Sequence, residues 1–294
     1  LASGGTDHKV KTWDVASRQE IAAVQGHTHL VTSVAFSPDG QTAFSSFSDG
    51  RVLIWSLEQK NEVITFKDQF FNILYVDFSP DGRHLAIGTE AEFQVPILLL
   101  DSATGKQTAS LMGHMGSAEA LAFSPDGKVL VSGGKNAILI FWDMQTKAPL
   151  FSINPHTEQQ TDVFSAVMDT IGKGIKQFFL QPIENNDRVS TIVFSPDGKL
   201  LATASFFNPG QESYPSVALW NPGDFQRIHV FEECQIGVNS LAFSPDGNLL
   251  AAGSYDGTVF VWNVNTRTLV TGLKGHTGGT MAVMFSPDGR YLVS

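Results

Sequence analysis

The chain has 294 residues, 42% of them hydrophobic, and a formal net charge of −10 at neutral pH. That length and apolar content support a large core, while the acidic balance disfavours nucleic acid and anionic lipid, both of which need clustered Lys and Arg. No apolar run is long enough to span a bilayer, and the single cysteine, Cys234, excludes an internal disulfide and fits a reducing, cytoplasmic location.

One pentapeptide punctuates the chain. Phe-Ser-Pro-Asp-Gly begins at Phe36, Phe78, Phe123, Phe194, Phe243 and Phe285, and the serines of successive copies lie 42, 45, 71, 49 and 42 residues apart. A period in the forties predicts stacked units, none able to bury its apolar face alone. Residues 1–4 read as the middle of a second strand, and residues 10–24 supply a third and a fourth. The copy opening at Gly26 predicts four strands, a to d: Val31–Phe36, then residues 41–46, Arg51–Ser56 and residues 61–66. Pro presets φ in the first turn and Gly tolerates positive φ, while Asp49-Gly50 is a hairpin signal between b and c. Short antiparallel strands in repeated groups of four, each group with a buried aromatic, predict an all-β radial propeller.

At this point the sequence resembles the WD-repeat (tryptophan–aspartate repeat) β-propeller family. The residues that carry the likeness are Gly26-His27, Asp49-Gly50 and Trp55; Gly113-His114 and Trp142; Asp256-Gly257 and Trp262-Asn263; Asp7 and Trp13-Asp14; and Gly275-His276. The likeness covers nearly the whole chain, apart from about thirty residues after His156. Some copies depart from the pattern. Gln69, Asn185 and Cys234 stand where the His belongs, Asn136 and Tyr214 where the Asp belongs, and Leu100-Asp101 where the Trp belongs. The sheet with Leu100 is expected to be held by apolar packing alone and to be the least regular.

The resemblance implies that His27, a hydroxyl at Ser45 or Ser46, Asp49 and Trp55 form a structural tetrad rather than a Ser-His-Asp catalytic triad. The indole N–H would donate to the hydroxyl, the hydroxyl to His, and His to Asp. His114, Trp142, Asp256, Trp262, Asp7, Trp13 and His276 take the same roles in other copies. A buried indole N–H without an acceptor costs about 1–3 kcal/mol, which gives the network its purpose. A nucleophile would need an exposed oxygen beside an oxyanion site, and the sequence supplies none. Phosphate-loop, His-Glu-x-x-His, Cys-x-x-Cys and Gly-x-Ser-x-Gly motifs are also absent. The expectation is a non-enzymatic chain with no cofactor and no metal. Cys234 is read as a small buried stand-in for His.

Function is sought where the period is broken. Residues 157–187 form the longest insertion, in a d–a connection. There Phe164, Val167, Met168, Ile171, Ile175, Phe178 and Phe179 recur at three- and four-residue steps and predict an amphipathic helix. Gly172 and Gly174 weaken it by about 1 kcal/mol each relative to Ala. A second insertion, residues 206–215, lengthens a b–c turn and carries Phe206, Phe207 and Tyr214; a smaller one brings Phe93. In a meander the b–c and d–a connections leave by the same end, so these aromatics are expected on one face. Either the helix caps its own sheets or its apolar face binds a protein or peptide partner. The expected function is a protein-interaction scaffold; the alternative is a sensor or regulatory module of a larger protein.

Both ends fall mid-strand, which predicts a single propeller domain over 1–294 cut from a longer protein. Six repeat lengths are present, as five whole blades and two partial ones, and the parent is expected to be seven-bladed. In the alternative, residues 280–285 join residues 10–24 to close six blades.

Overall fold

The computed structural model describes residues 2–4, 10–14, 17, 19–24, 29, 31–47, 50–59, 61–67, 72–90, 96–114, 116–135, 137–153, 188–206, 216–234 and 236–294. Among these every regular element is a β-strand. The chain divides into two compact units, Leu1–Phe123 and Ser124–Ser294.

The first unit opens with a three-stranded antiparallel sheet, β1 (Ala2–Gly4), β2 (Val10–Asp14) and β3 (Gln19–Val24). A four-stranded meander follows: β4 (Val31–Phe36), β5 (Thr42–Phe47), β6 (Arg51–Ser56) and β7 (Asn61–Lys67). These are strands a to d of the first complete copy, within a residue of the expected bounds. The next meander is β8 (Asn72–Phe78), β9 (His84–Glu90), β10 (Ile97–Asp101) and β11 (Gln107–Leu111). Strand β12 (Ala118–Phe123) ends the unit.

The second unit begins with β13 (Val129–Gly134), β14 (Leu139–Asp143) and β15 (Pro149–Ile153), paired in that order. Two complete meanders follow. One is β16 (Arg188–Phe194), β17 (Leu201–Phe206), β18 (Val217–Asn221) and β19 (Gln226–Phe231). The other is β20 (Val238–Phe243), β21 (Leu249–Ser254), β22 (Val259–Asn263) and β23 (Thr268–Leu273). A short pair, β24 (Met284–Phe285) and β25 (Leu292–Val293), closes the unit.

Each sheet buries its apolar face on the next, which is why no copy is self-sufficient. Phe44, Val52 and Ile54 of one meander form a single cluster with Ile73, Val76, Leu85, Ile87 and Leu98 of its neighbour. Phe44 meets Phe78 edge to face, with ring centroids 4.4 Å apart. In the second unit Ala204, Val217, Leu219 and Phe231 join Leu241, Leu250 and Trp262 in the same way.

Glycine on strand b permits this approach. A Cβ on Gly88 would lie 2.5 Å from the Ala118 carbonyl oxygen, and one on Gly133 would lie 2.5 Å from Val189 Cγ1. At the matching positions the other complete meanders carry Ser46, Ala204 and Gly253, so the tolerated side chain is small or absent throughout.

The Ser-Pro-Asp-Gly turn is built identically in all six copies. The serine hydroxyl donates to the aspartate Oδ1 at 2.5–2.7 Å and accepts the backbone N–H five residues on at 2.9–3.0 Å. That hydroxyl is the main reason the carboxyl groups of Asp39, Asp81, Asp126, Asp197 and Asp288 stay below the usual range, and it helps bring Asp246 down to about 2. Each glycine has φ between +66° and +72°, a conformation costly to any residue with a Cβ. Successive turns also touch. A Cβ on Gly82 would sit 3.5 Å from Pro38 Cδ, and Gly198, Gly247 and Gly289 face Pro125, Pro196 and Pro245 in the same manner.

The sheet that lacks tryptophan is not irregular, contrary to expectation. Strands β8–β11 pair in order, and their register shifts at Ile73/Tyr75 and Leu99/Leu100 fall where the β4–β7 sheet has its own, at Val31/Ser33 and Ile54/Trp55. Leu100, in the tryptophan position, lies opposite Leu85, and Ile87 takes the place of the hydroxyl two residues on. Donor and acceptor have been exchanged together for apolar groups, which leaves no orphaned indole or hydroxyl at this pair of positions. The predicted helix over 157–187 lies outside the described residues.

Candidate interaction face

The tryptophan network is real but unequal from sheet to sheet. Trp142 Nε1 donates to Ser132 Oγ at 2.8 Å, and Trp220 Nε1 to Thr203 Oγ1 at 2.9 Å. Register explains both. The tryptophan of strand c faces a strand-b residue, and the acceptor lies two residues further along. In the β20–β23 sheet that position is Ala252, and the Trp262 indole turns to Glu233 Oε2 at 3.0 Å in the d–a connection. Phe231 stacks on the same indole, centroids 4.7 Å apart. Trp55 and Ser45 are buried, and neither Trp55 Nε1 nor Ser45 Oγ makes a hydrogen bond.

The other tetrad residues fall as follows. His114 is buried, and burial pulls its imidazole down to about 4, so the ring is neutral at physiological pH. On Asp256 burial pushes upward, but the Thr258 backbone N–H at 2.9 Å and the Ser254 side chain outweigh it and hold the carboxyl below the usual range. His276 is exposed, with Nε2 2.8 Å from Ser294 Oγ. Cys234 is buried, its thiol donates to the Ile236 carbonyl at 3.3 Å, and burial pushes it up to about 11. It is therefore a protonated packing residue in the place of His, not a nucleophile. Trp13 lies in β2. Asp7, His27 and Asp49 lie outside the described residues.

Of the expected partner-binding residues, Phe93, Phe164, Val167, Met168, Ile171, Phe178, Phe179, Phe207 and Tyr214 also lie outside them, and Phe206 is the last residue of β17. The strands that frame the two insertions are described. Arg188, where the chain re-enters β16, pairs with Phe206, where it leaves β17. Ala204 pairs with Val217 at the far side of the loop. Both long connections therefore join the same end of one sheet.

Three exposed apolar residues of the second unit stand at the equivalent end of the following strands: Ile236 (45% exposed), Tyr255 (53%) and Met281 (70%). Hydrogen bonds tie the segments that carry them. Ser216, next to the 207–215 loop, donates its hydroxyl to the Ile236 carbonyl at 3.2 Å; Tyr255 N–H donates to Gly237 O at 2.9 Å. Asn239 Nδ2 donates to Thr280 O at 3.2 Å and lies 3.5 Å from Met281 Sδ. Sequence reasoning passed over these residues because they do not interrupt the period. A signal was present for one of them: Tyr255 precedes Asp256-Gly257 where the corresponding turn has Ser48 before Asp49-Gly50.

The sequence pattern of the WD domain, G-beta repeat family matches residues 18–56, 105–143, 179–206, 225–263 and 267–294, more than half of the chain. The chain belongs to this family. The stretch between the first two matches holds β7 and three of the four strands of the tryptophan-free sheet, β8, β9 and β10. Protein HIR1 of Eremothecium gossypii is 24% identical over 200 residues, 64% of this chain and 22% of that protein. Periodic tryptophan protein 2 of Arabidopsis thaliana is 29% identical over 206 residues, 70% of this chain and 19% of that protein. Anaphase-promoting complex subunit cdh1 of Dictyostelium discoideum is 26% identical over 297 residues, 99% of this chain and 32% of that protein. The chain thus spans between a fifth and a third of the length of these relatives.

Proposed function

We propose that the chain is a non-catalytic scaffold that binds a peptide or domain of a partner protein on the end of its second unit where the d–a and b–c connections emerge. The observation that carries this reading is the Arg188–Phe206 pairing, which joins two long aromatic-rich connections to one sheet end. Exposed Ile236, Tyr255 and Met281 supply the apolar anchors that an interface needs, with polar groups around them. One relative is named as a subunit of the anaphase-promoting complex and another as a subunit of transcription initiation factor TFIID, which supports assembly with other proteins. The aromatic residues of 157–187 and 206–215 complete the surface in this reading. The partner is a protein, not nucleic acid or lipid, because the chain is acidic. The location is cytoplasmic.

The test is affinity capture from cells with the wild-type protein and with Tyr255→Ser/Met281→Gln, followed by direct binding of the captured protein. The double variant is expected to lose at least tenfold in affinity at an unchanged Tm. Equal affinity in both proteins would sink the assignment of this face. Replacing 157–187 by a Gly-Ser loop then distinguishes a binding element from a cap: a binding element costs affinity and spares Tm, and a cap does the reverse.

A further inference from the structure

Asp77 has no counterpart in the repeat. It stands immediately before the strand-a phenylalanine, where the other copies carry Ala35, Ala122, Val193, Ala242 and Met284. Its carboxylate bridges two strands of the first unit. Oδ1 accepts the N–H of Phe78 in its own strand β8, and Oδ2 accepts the N–H of Phe123 in β12, both at 2.9 Å. Strands β8 and β12 pack together without sharing a sheet. The Oδ2 bond is therefore a polar cross-link between two repeats, in a position that is otherwise apolar.

We propose that Asp77 is a proton-controlled joint between β8 and β12, gripping the Phe123 amide as a carboxylate and easing that grip as the neutral acid. The ionised form makes the stronger, charge-assisted bond; on protonation one oxygen becomes a donor and the pair of N–H groups must share what is left. The surroundings set where this happens. Burial pushes the Asp77 carboxyl up to about 7, against the two backbone N–H groups that pull it down. Few charges interfere. Tyr75 is the titratable group beside it, and burial together with Asp77 raises that phenol to about 12. Strands β4 and β5 bring no ionisable residue, β12 brings Glu119, and β9 brings His84 and Glu90 at its two ends.

Because the folded value lies above the ordinary 3.8, the contribution of this group to stability is full below about 3.8 and is lost as pH rises through about 7. The local joint and the whole fold thus respond to pH in opposite directions.

The experiment follows the Asp77 carboxyl carbon by NMR in the protein labelled at aspartate, from pH 5 to 9, with Phe123 amide exchange measured in the same samples. A midpoint near neutrality is expected, with Phe123 protection, corrected for intrinsic exchange, falling roughly five- to tenfold below it. A midpoint in the ordinary carboxylate range, or Phe123 protection that ignores the midpoint, overturns the proposal. Unfolding by urea of wild type and Asp77→Ala gives a second reading. The folding constant of wild type should fall relative to that of Asp77→Ala by close to tenfold per pH unit as pH rises from about 5 to 6.5; parallel profiles, or a relative rise, count against the joint. The NMR arm needs only the wild-type protein and decides the matter if the variant does not fold.

Discussion

The closest approach between repeats can be tested by adding one methyl group. A Cβ on Gly88 would sit 2.5 Å from the Ala118 carbonyl oxygen and 3.3 Å from its carbonyl carbon. That is half an ångström inside the shortest contact a real Cβ tolerates, and the obstacle is backbone, which cannot rotate away. Strand β12 must retreat, at an overpacking cost of about 1–3 kcal/mol. Lower entropy of the unfolded alanine chain returns about 0.4–1 kcal/mol. Gly88→Ala should then destabilise by about 1–2 kcal/mol, a fall in Tm of roughly 2–8 °C in a chain of this size. Gly133→Ala meets side-chain atoms instead, Val189 Cγ1 at 2.5 Å and Cβ at 2.6 Å, which only glycine at 189 removes. Val189→Gly should therefore show favourable coupling with Gly133→Ala in a double-mutant cycle, while Ala118→Gly, which leaves the carbonyl in place, should show none with Gly88→Ala. Gly275→Ala, where nothing lies within 4 Å, is the control and should be neutral or slightly stabilising. Differential scanning calorimetry reads all of these, and a Gly88→Ala variant that melts with the Gly275→Ala control would refute the reasoning.

Three further outcomes follow from the same packing. Trp142→Phe, which removes the N–H donated to Ser132, should cost about 1–2 kcal/mol, and a double-mutant cycle with Ser132→Ala should return a coupling of about 1 kcal/mol; zero coupling would mean the bond contributes nothing. Phe225 holds φ +60° in a c–d turn where other copies have Gly105, Lys147 and Arg267, and its ring stacks on Phe151 at 4.9 Å. Phe225→Ala keeps the strain and loses the stack, so it should destabilise by about 1–3 kcal/mol, and Phe225→Gly by less; the reverse order in urea titrations would show that the ring is unimportant. Burial holds His114 at about 4 against an ordinary 6.5, so the unfolded chain takes up a proton that the folded one refuses. Stability is full above about pH 6.5 and is lost down to about pH 4, by roughly 3 kcal/mol at most. Asp77 acts in the opposite sense over much of that window, so His114 is best read in an Asp77→Ala background, where a flat profile would contradict the buried neutral ring.

What the sequence made legible was whatever the chain decides locally. Strand positions and the Ser-Pro-Asp-Gly turns follow from residues within about five places of one another, and both appear where they were expected. The Trp142–Ser132 and Trp220–Thr203 bonds were legible one level higher, because strand register carries the tryptophan to a fixed acceptor. The Trp262–Glu233 bond was not, since its acceptor lies 29 residues back in a connection whose course depends on tertiary packing. The regularity of β8–β11 was misjudged by considering Leu100 without its partner Ile87, although both letters were in plain view. On the candidate face, the aromatic insertions announced themselves by breaking the period. Tyr255, Ile236 and Met281 stay in phase, and what marks them is their exposure, a property of the folded surface.

The contact between successive Ser-Pro-Asp-Gly turns bears on which parts of this chain are free to change. A residue of the tryptophan network is answerable mainly to its own sheet, and the copies have diverged there one at a time: Leu for Trp, Cys for His, Tyr for Asp. The turns at Ser195 and Ser244 are answerable twice, because the proline of each fits the glycine of the following copy and the glycine of each the proline of the preceding one. A substitution in either of those turns is thus judged by two neighbours at once, and a coordinated change would have to pass along the turns of the second unit. Six identical turns beside a frayed set of tetrads are the record of that difference in how many partners each residue must satisfy.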